Sequence, residues 1–280
     1  MRENPRPART RAVLELTDRA DSLRVWSADI VRHFDVLMVL ARKDFQTRYK
    51  RATLGVAWAV VVPLVQATVM AVVFSHVVRT GAGRGYGIYV LSGIIPFTYF
   101  SSVLTNAVTS IVDGSGLTEK VWFPRVLLVV VPALSNLVGL VITVVLLVLL
   151  MPLLGVGYGP RDLLLLPAVA LLAAFTVALS TVLAALYVYF RDVKFLVQAA
   201  LMVWVYITPV VYRIGLLHHL EGLVEANPLT GVVTVFHLAT VGDSGPVAVP
   251  VAVTVGATLL LLAVGVESQR RHDRLFVDLL

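Results

Sequence analysis

His218, His219, Glu221 and Glu225 bring together the side chains best suited to holding a divalent ion or exchanging protons. The spacing from His218 to Glu221 to Glu225 sets three of them on one face of a helix. They match no catalytic motif, and a solvated helix bordering an opening accounts for them without a reaction. The run Gly81-Ala82-Gly83-Arg84-Gly85-Tyr86-Gly87 is glycine-rich, but no Lys-Ser or Lys-Thr follows it and no strand precedes it. It is no phosphate loop, so any ATP this protein uses is bound by another chain. Cysteine is absent, which removes thiol nucleophiles, thiolate metal sites and disulfides.

Aromatic side chains are the second resource. Trp58, Tyr99, Phe100, Trp204 and Tyr206 fall in apolar stretches, where their faces could stack on sugar rings while fixing few polar contacts, as a sliding chain needs. Helix packing and lipid contact explain each one equally well. A third group lies in the polar insert Asp113 to Arg125, where Glu119, Lys120 and Arg125 surround Trp122 and Phe123, with Gly114 and Gly116 before and Pro124 after. Those breakers frame a short amphipathic turn, a handle at a membrane surface or an ordinary loop anchored in headgroups.

The elements carrying these groups follow from composition. The 280 residues are 58% hydrophobic and only 14% charged, far from soluble proportions. The expected fold is an all-α integral membrane protein. Residues 1–26 read as a mobile cytoplasmic tail, and 27–53 as an amphipathic interface helix. Its stripe Ile30, Phe34, Leu37, Met38, Ala41 and Phe45 leaves Arg32, Arg42 and Lys43 off that face, with Ser27 as cap. No cleavable signal precedes it, because the first long apolar run starts only near Leu54.

Residues 54–266 hold six expected spans: Leu54–Val78, Tyr86–Val112, Val126–Leu150, Leu163–Phe190, the shorter Phe195–Tyr212, and Val247–Val266. Two pieces too short to cross, Ile214–Glu225 and Pro228–Val241, read as re-entrant outer helices within 214–241. Residues 267–280 form a cytoplasmic tail. With both termini inside, 19 Lys and Arg lie on the cytoplasmic side and four outside, a decisive bias. The basic excess ahead of the first span is therefore a topology and lipid signal rather than a nucleic-acid one. The spans contain no Asp, Glu, Lys or Arg, and His76, near an outer end, is the one ionisable candidate. A carrier driven by protons or sodium needs an intramembrane ion site, so its absence argues against secondary transport.

Four segments occur in order: Arg48-Tyr49-Lys50-Arg51 through Leu54-Gly55 and Trp58 to Pro63; Tyr89 to Phe97 followed by Phe100-Ser101-Ser102; Gly116 to Arg125; and Tyr189 to Val193 followed by Thr208-Pro209 and Asn227-Pro228-Leu229-Thr230. Together they resemble the permease subunit of type-two ABC exporters for polysaccharides, of the Wzm or TagG type, from about residue 30 to the end. The resemblance implies a homodimer joined to two copies of a separate ATPase subunit, which binds ATP and Mg; this chain holds no cofactor. It also implies that Glu119, Lys120, Trp122, Phe123 and Arg125 form a coupling helix on that ATPase, with Arg191 and Asp192 as a second contact. The interface helix, through Phe34, Arg42, Phe45 and Arg48, meets the same partner. His218, His219 and Glu221 belong to the outer gate, and Trp58, Tyr99, Phe100, Trp204 and Tyr206 to the polysaccharide pathway. The expected function is export of a lipid-linked polysaccharide across the plasma membrane, with an actinobacterial cell-wall galactan precursor named first and O-antigen or teichoic acid close behind. Two other classes compete: a multispan glycan- or acyl-modifying enzyme using His218 and Glu221, and a small-molecule exporter of the same fold.

Overall fold

The computed structural model describes residues 23–50, 52–77, 85–118, 123–216, 219–243 and 245–272, and all regular structure among them is helical. Glu119, Lys120, Trp122, His218 and most of the expected tail 1–26 lie outside the described residues, as does the side chain of His76. In order the helices are α1 (Leu23–Arg32), α2 (Phe34–Tyr49), α3 (Trp58–Val77), α4 (Tyr86–Asp113), α5 (Ser115–Thr118), α6 (Val126–Leu153), α7 (Leu165–Tyr189), α8 (Val193–Ile207), α9 (Glu221–Glu225), α10 (Pro228–Val241) and α11 (Ala248–His272).

Five stretches have the length and apolarity to cross a bilayer: Gly55–Val73, Tyr86–Asp113, Val126–Leu153, Pro160–Tyr189 and Ala248–Arg270. The chain is a multi-pass membrane protein. The expected fifth crossing is cut short, since α8 stops at Ile207 and its 15 residues cover only about 22 Å. Pro209 is the cause: it lacks an N–H and forces Thr208 into extended backbone (ψ 133°). Ile214–Glu225, expected as one short helix, is a single 3-10 turn at Ile214–Leu216 and the five-residue α9. By contrast α10 has the bounds read from the sequence. Asn227 caps it, accepting the Leu229 N–H at 3.1 Å, Pro228 opens it, and Gly242 in left-handed backbone (φ 69°) closes it.

The N-terminal helix begins at Leu23, so Ser27 lies within it rather than capping it, and His33 divides it. There the imidazole Nδ1 sits 2.8 Å from the Asp29 carbonyl oxygen while backbone bonds continue on either side. Leu37 and Ala41 are buried, whereas Phe34 and Met38, on the same expected stripe, are exposed. Leu37 packs with Phe123, Leu127 and Leu128, and further along α2 Asp44 and Arg48 meet Ser135 and Asn136. Thus α2 runs beside the first turns of α6 instead of lying across them.

α4 is the axis of the bundle. It packs against α3, α6, α7, α8 and α10, and 78% of its apolar window is buried, against 11% for α3. The helices α3, α4, α6, α7, α8 and α11 alternate in direction. The 113–126 and 189–193 connections and the end of α11 therefore share a basal end with α1, while the turns around 85, 156, 211 and 242 share a distal one.

Candidate functional site

At the basal side, the end of α2 is bonded into the bundle. Arg48 donates from Nη1 to Asn136 Oδ1 (3.0 Å) and Ser102 Oγ (3.3 Å), and from Nη2 to Asp44 (3.2 Å). Ser102 donates to the same Asn136 oxygen at 2.9 Å, and Ser135 donates to Asp44. One guanidinium thereby ties α2 to both α4 and α6, which suits its rigid fork of donors. Beside it opens a cavity of about 120 Å³ whose polar wall includes Arg48, Tyr49, Trp58, Thr98, Ser102 and Asn136. Its apolar wall includes Pro63 and Leu140, and the exposed Val62 stands at its edge.

The end of the connection before α6 is docked against α2. Phe123 is 3% exposed, wedged between Leu37 and Leu127, and Arg125 is 8% exposed at the start of α6. The Phe123 ring thereby holds the end of the connection against α2. Arg191 and Asp192, by contrast, are exposed in the turn before α8, with the Arg191 guanidinium 5.3 Å from the Tyr187 ring centroid. On α2, Arg42 is exposed and Phe45 is half-buried 5.2 Å from Tyr49, so Arg42 faces outward while Arg48 is committed to the bundle.

The five pathway aromatics divide in the same way. Phe100 is fully buried, stacked on Phe175 (5.8 Å, 15°) and edge-on to Trp204 (5.1 Å, 76°). Tyr99 is 4% exposed and donates its hydroxyl to the Ala133 carbonyl at 3.1 Å. Phe100 thus presents no open face within the chain, and Tyr99 borders the basal cavity. Trp204 is part-buried and donates from Nε1 to Asn227 Oδ1 at 2.9 Å. Trp58 and Tyr206 present open faces, 43% and 68% exposed.

At the distal end, the segment after α8 is latched on both sides. Tyr86 and Tyr89 donate their hydroxyls to the Val211 and Tyr212 carbonyls, each at 2.8 Å. Asn227 takes the Trp204 bond and donates to Thr208 Oγ1 at 3.0 Å, joining the end of α8 to the start of α10. His237 is buried, stacked on Tyr89 with centroids 3.8 Å apart. It also faces Gly93, where a Cβ would lie 2.8 Å from the Val210 carbonyl oxygen and 3.0 Å from His237 Nε2. Arg161 donates to the Thr240 carbonyl at the end of α10 (3.2 Å), and Arg213 pairs with Asp243 at 3.6 Å near the surface. His219 is exposed and Glu221 half-buried at the start of α9; among the described residues no three His, Cys, Asp or Glu gather as a metal site.

Sequence reasoning missed Arg48 as a hub, His237 as a buried imidazole and Asn227 as a junction. The Arg48-Tyr49 and Asn227-Pro228 pairs were visible signals, but which helices they join is a tertiary fact. His237 went unconsidered because it falls in a piece too short to count as a span.

The described residues form a helical multi-span bundle with a helix docked at its basal side. The family model described as ABC-2 type transporter matches residues 35–239, and the chain belongs to that family. It is a transport subunit rather than an enzyme. Among its relatives, the O-antigen export system permease protein RfbA of Myxococcus xanthus is 27% identical over 256 residues, covering 88% of this chain and 96% of that protein. A protein of the same name from Klebsiella pneumoniae is 26% identical over 202 residues, 71% of this chain and 78% of that one. The polysialic acid transport protein KpsM of Escherichia coli is similar over 76 residues only, at 29% identity, 27% of this chain and 30% of that protein.

Proposed function

We propose that this chain is the permease of an ATP-driven exporter that moves a lipid-linked polysaccharide of O-antigen type from the cytoplasmic to the outer leaflet of the plasma membrane. The observation that carries the reading is the likeness to an O-antigen export permease across 96% of that relative's length. A cell-wall galactan precursor is the narrower cargo expected from composition and the resemblance, and teichoic acid the alternative.

In this reading the basal end is cytoplasmic and the chain crosses six times. α8 supplies about 22 Å of the fifth crossing, against roughly 30 Å of hydrocarbon. The latched segment 208–213 and α10, re-entrant from the distal side, complete it. Two copies of this chain and two of an ATPase subunit, which holds ATP and Mg, make the working assembly. Residues 119–122 and the exposed Arg191 and Asp192 meet the ATPase, and His218, His219 and Glu221 border the outer gate.

The open faces of α3 and α8 support a polymer path along them. They are the loosely packed neighbours of α4, and each carries an aromatic ring with a free face, Trp58 and Tyr206. With no Asp or Glu inside the six spans expected from the sequence, the work enters from outside the bilayer through contact with the ATPase.

Deleting the gene for this chain in its own host tests the proposal. The expected result is lipid-linked polymer of normal length retained inside, out of reach of an external lectin, and restored to the surface by the wild-type chain. Undiminished surface polymer in the deletion strain would overturn it.

A further inference from the structure

We propose that the basal cavity beside Arg48 is a binding site for the anionic phosphate headgroup of a membrane amphiphile. The inference does not depend on the export reading, because it rests on depth, donors and the direction in which the cavity opens.

Asn136 lies about 15 Å along α6 from Val126 and about 26 Å short of Leu153, at 1.5 Å per residue. Ser102 lies about 24 Å along α4 from Tyr86, and the first apolar span begins beside them at Trp58. With about 30 Å of hydrocarbon measured from the distal end, the cavity falls near the basal boundary, where lipid headgroups sit. Its wall is rich in donors. Arg48 commits three hydrogen bonds to Asn136, Ser102 and Asp44, and its remaining N–H groups have no partner among the described residues. The hydroxyls of Tyr49 and Thr98 and the Trp58 indole N–H also lack one, although most helical threonines in this chain bond the carbonyl one turn back.

A phosphate monoester or diester supplies the acceptors these donors need, with charge-assisted bonds to the guanidinium. Trp58 and the exposed Val62 border the opening along α3, so an acyl or polyisoprenyl chain attached to that phosphate would run along an apolar helix face. Asp44 does not repel the ligand outright: its carboxylate is occupied by Arg48 and Ser135 and is absent from the cavity wall. Two sources share this chemistry, a bilayer phospholipid such as phosphatidylglycerol and a polyisoprenyl phosphate.

The test is native mass spectrometry of the full-length chain released from three kinds of vesicle: phosphatidylcholine alone, with added phosphatidylglycerol, or with added polyisoprenyl monophosphate. The wild type is expected to retain an anionic amphiphile in preference to phosphatidylcholine, and Arg48→Gln to weaken retention about tenfold or more, as loss of a charge-assisted contact implies. Thr98→Val, which spares the Arg48 bonds, is expected to weaken it several-fold with helicity unchanged, while Arg32→Gln on the exposed face of α1 has no effect. Retention of either anionic amphiphile supports the site and names its source. Equal retention of phosphatidylcholine, or equal losses in Arg32→Gln and Arg48→Gln, overturns it.

Discussion

Asn227 shows how much one short side chain holds in place. Its oxygen accepts from the Leu229 N–H and the Trp204 indole, and its amide donates to Thr208, so three bonds converge where α8 ends and α10 begins. Asn227→Ala removes a helix cap and leaves the part-buried Trp204 indole N–H without its acceptor, at a cost of about 2–4 kcal/mol. The expected outcome is a thermal unfolding midpoint several degrees lower in detergent, measured by static light scattering; Asn106→Ala, whose exposed amide bonds only its own helix, is expected to change it little. The sequence marks Asn227 as a cap because Pro228 follows it. That the same amide also meets Trp204, 23 residues earlier, follows only from the fold.

At the scale of elements, the basal face separates into parts that hold and parts that are free. Phe123 is buried against α2, so Phe123→Ala opens a gap between α2 and α6 worth about 3–5 kcal/mol. Arg191 and Asp192 lie exposed in a turn, where charge changes away from buried contacts cost little stability. The double reversal Arg191→Glu with Asp192→Lys is therefore expected to leave the melting midpoint unchanged while reducing co-purification of the ATPase subunit. Phe123→Ala is expected to lower the midpoint first and to expose α2 to limited proteolysis. Full ATPase recovery with the double reversal would remove that turn from the docking surface. The apolar run Val126 to Leu134 also changes meaning at this scale: it reads as the start of a span, yet several of its residues are covered by α2. Hydropathy records that a face is apolar and says nothing of whether lipid or another helix covers it.

For the whole molecule, orientation is the decisive quantity, and the absence of native cysteine makes it directly measurable. Tyr158 is 59% exposed at the distal end, and Asp192 is exposed at the basal end. In intact cells a membrane-impermeant maleimide is expected to label Tyr158→Cys at once and Asp192→Cys only after permeabilisation. The reverse pattern would invert the topology and sink the export mechanism with it. The bundle itself favours one fixed and one adaptable set of helices. α10 is buried among α4, α7 and α11, and Gly231 lets it approach α11 so closely that an added Cβ would overlap Thr254 and Pro250. α3 and α8 touch few neighbours and keep open faces, so motion in the bundle falls to them more readily than to α10.

The amino-acid sequence alone determined the membrane class, the two long central spans, the bounds of α10 and the family, because each rests on local signals: run length, Asn-Pro and Gly punctuation, and short ordered motifs. Only the tertiary structure decided which apolar faces meet protein and which stay open, as with the buried Phe100 and the exposed Tyr206. The reason is physical. In a helix whose lipid side and core side are both apolar, no contrast between faces survives in the sequence, so a ring, an Arg48 or a His237 finds its partners only once the helices have packed.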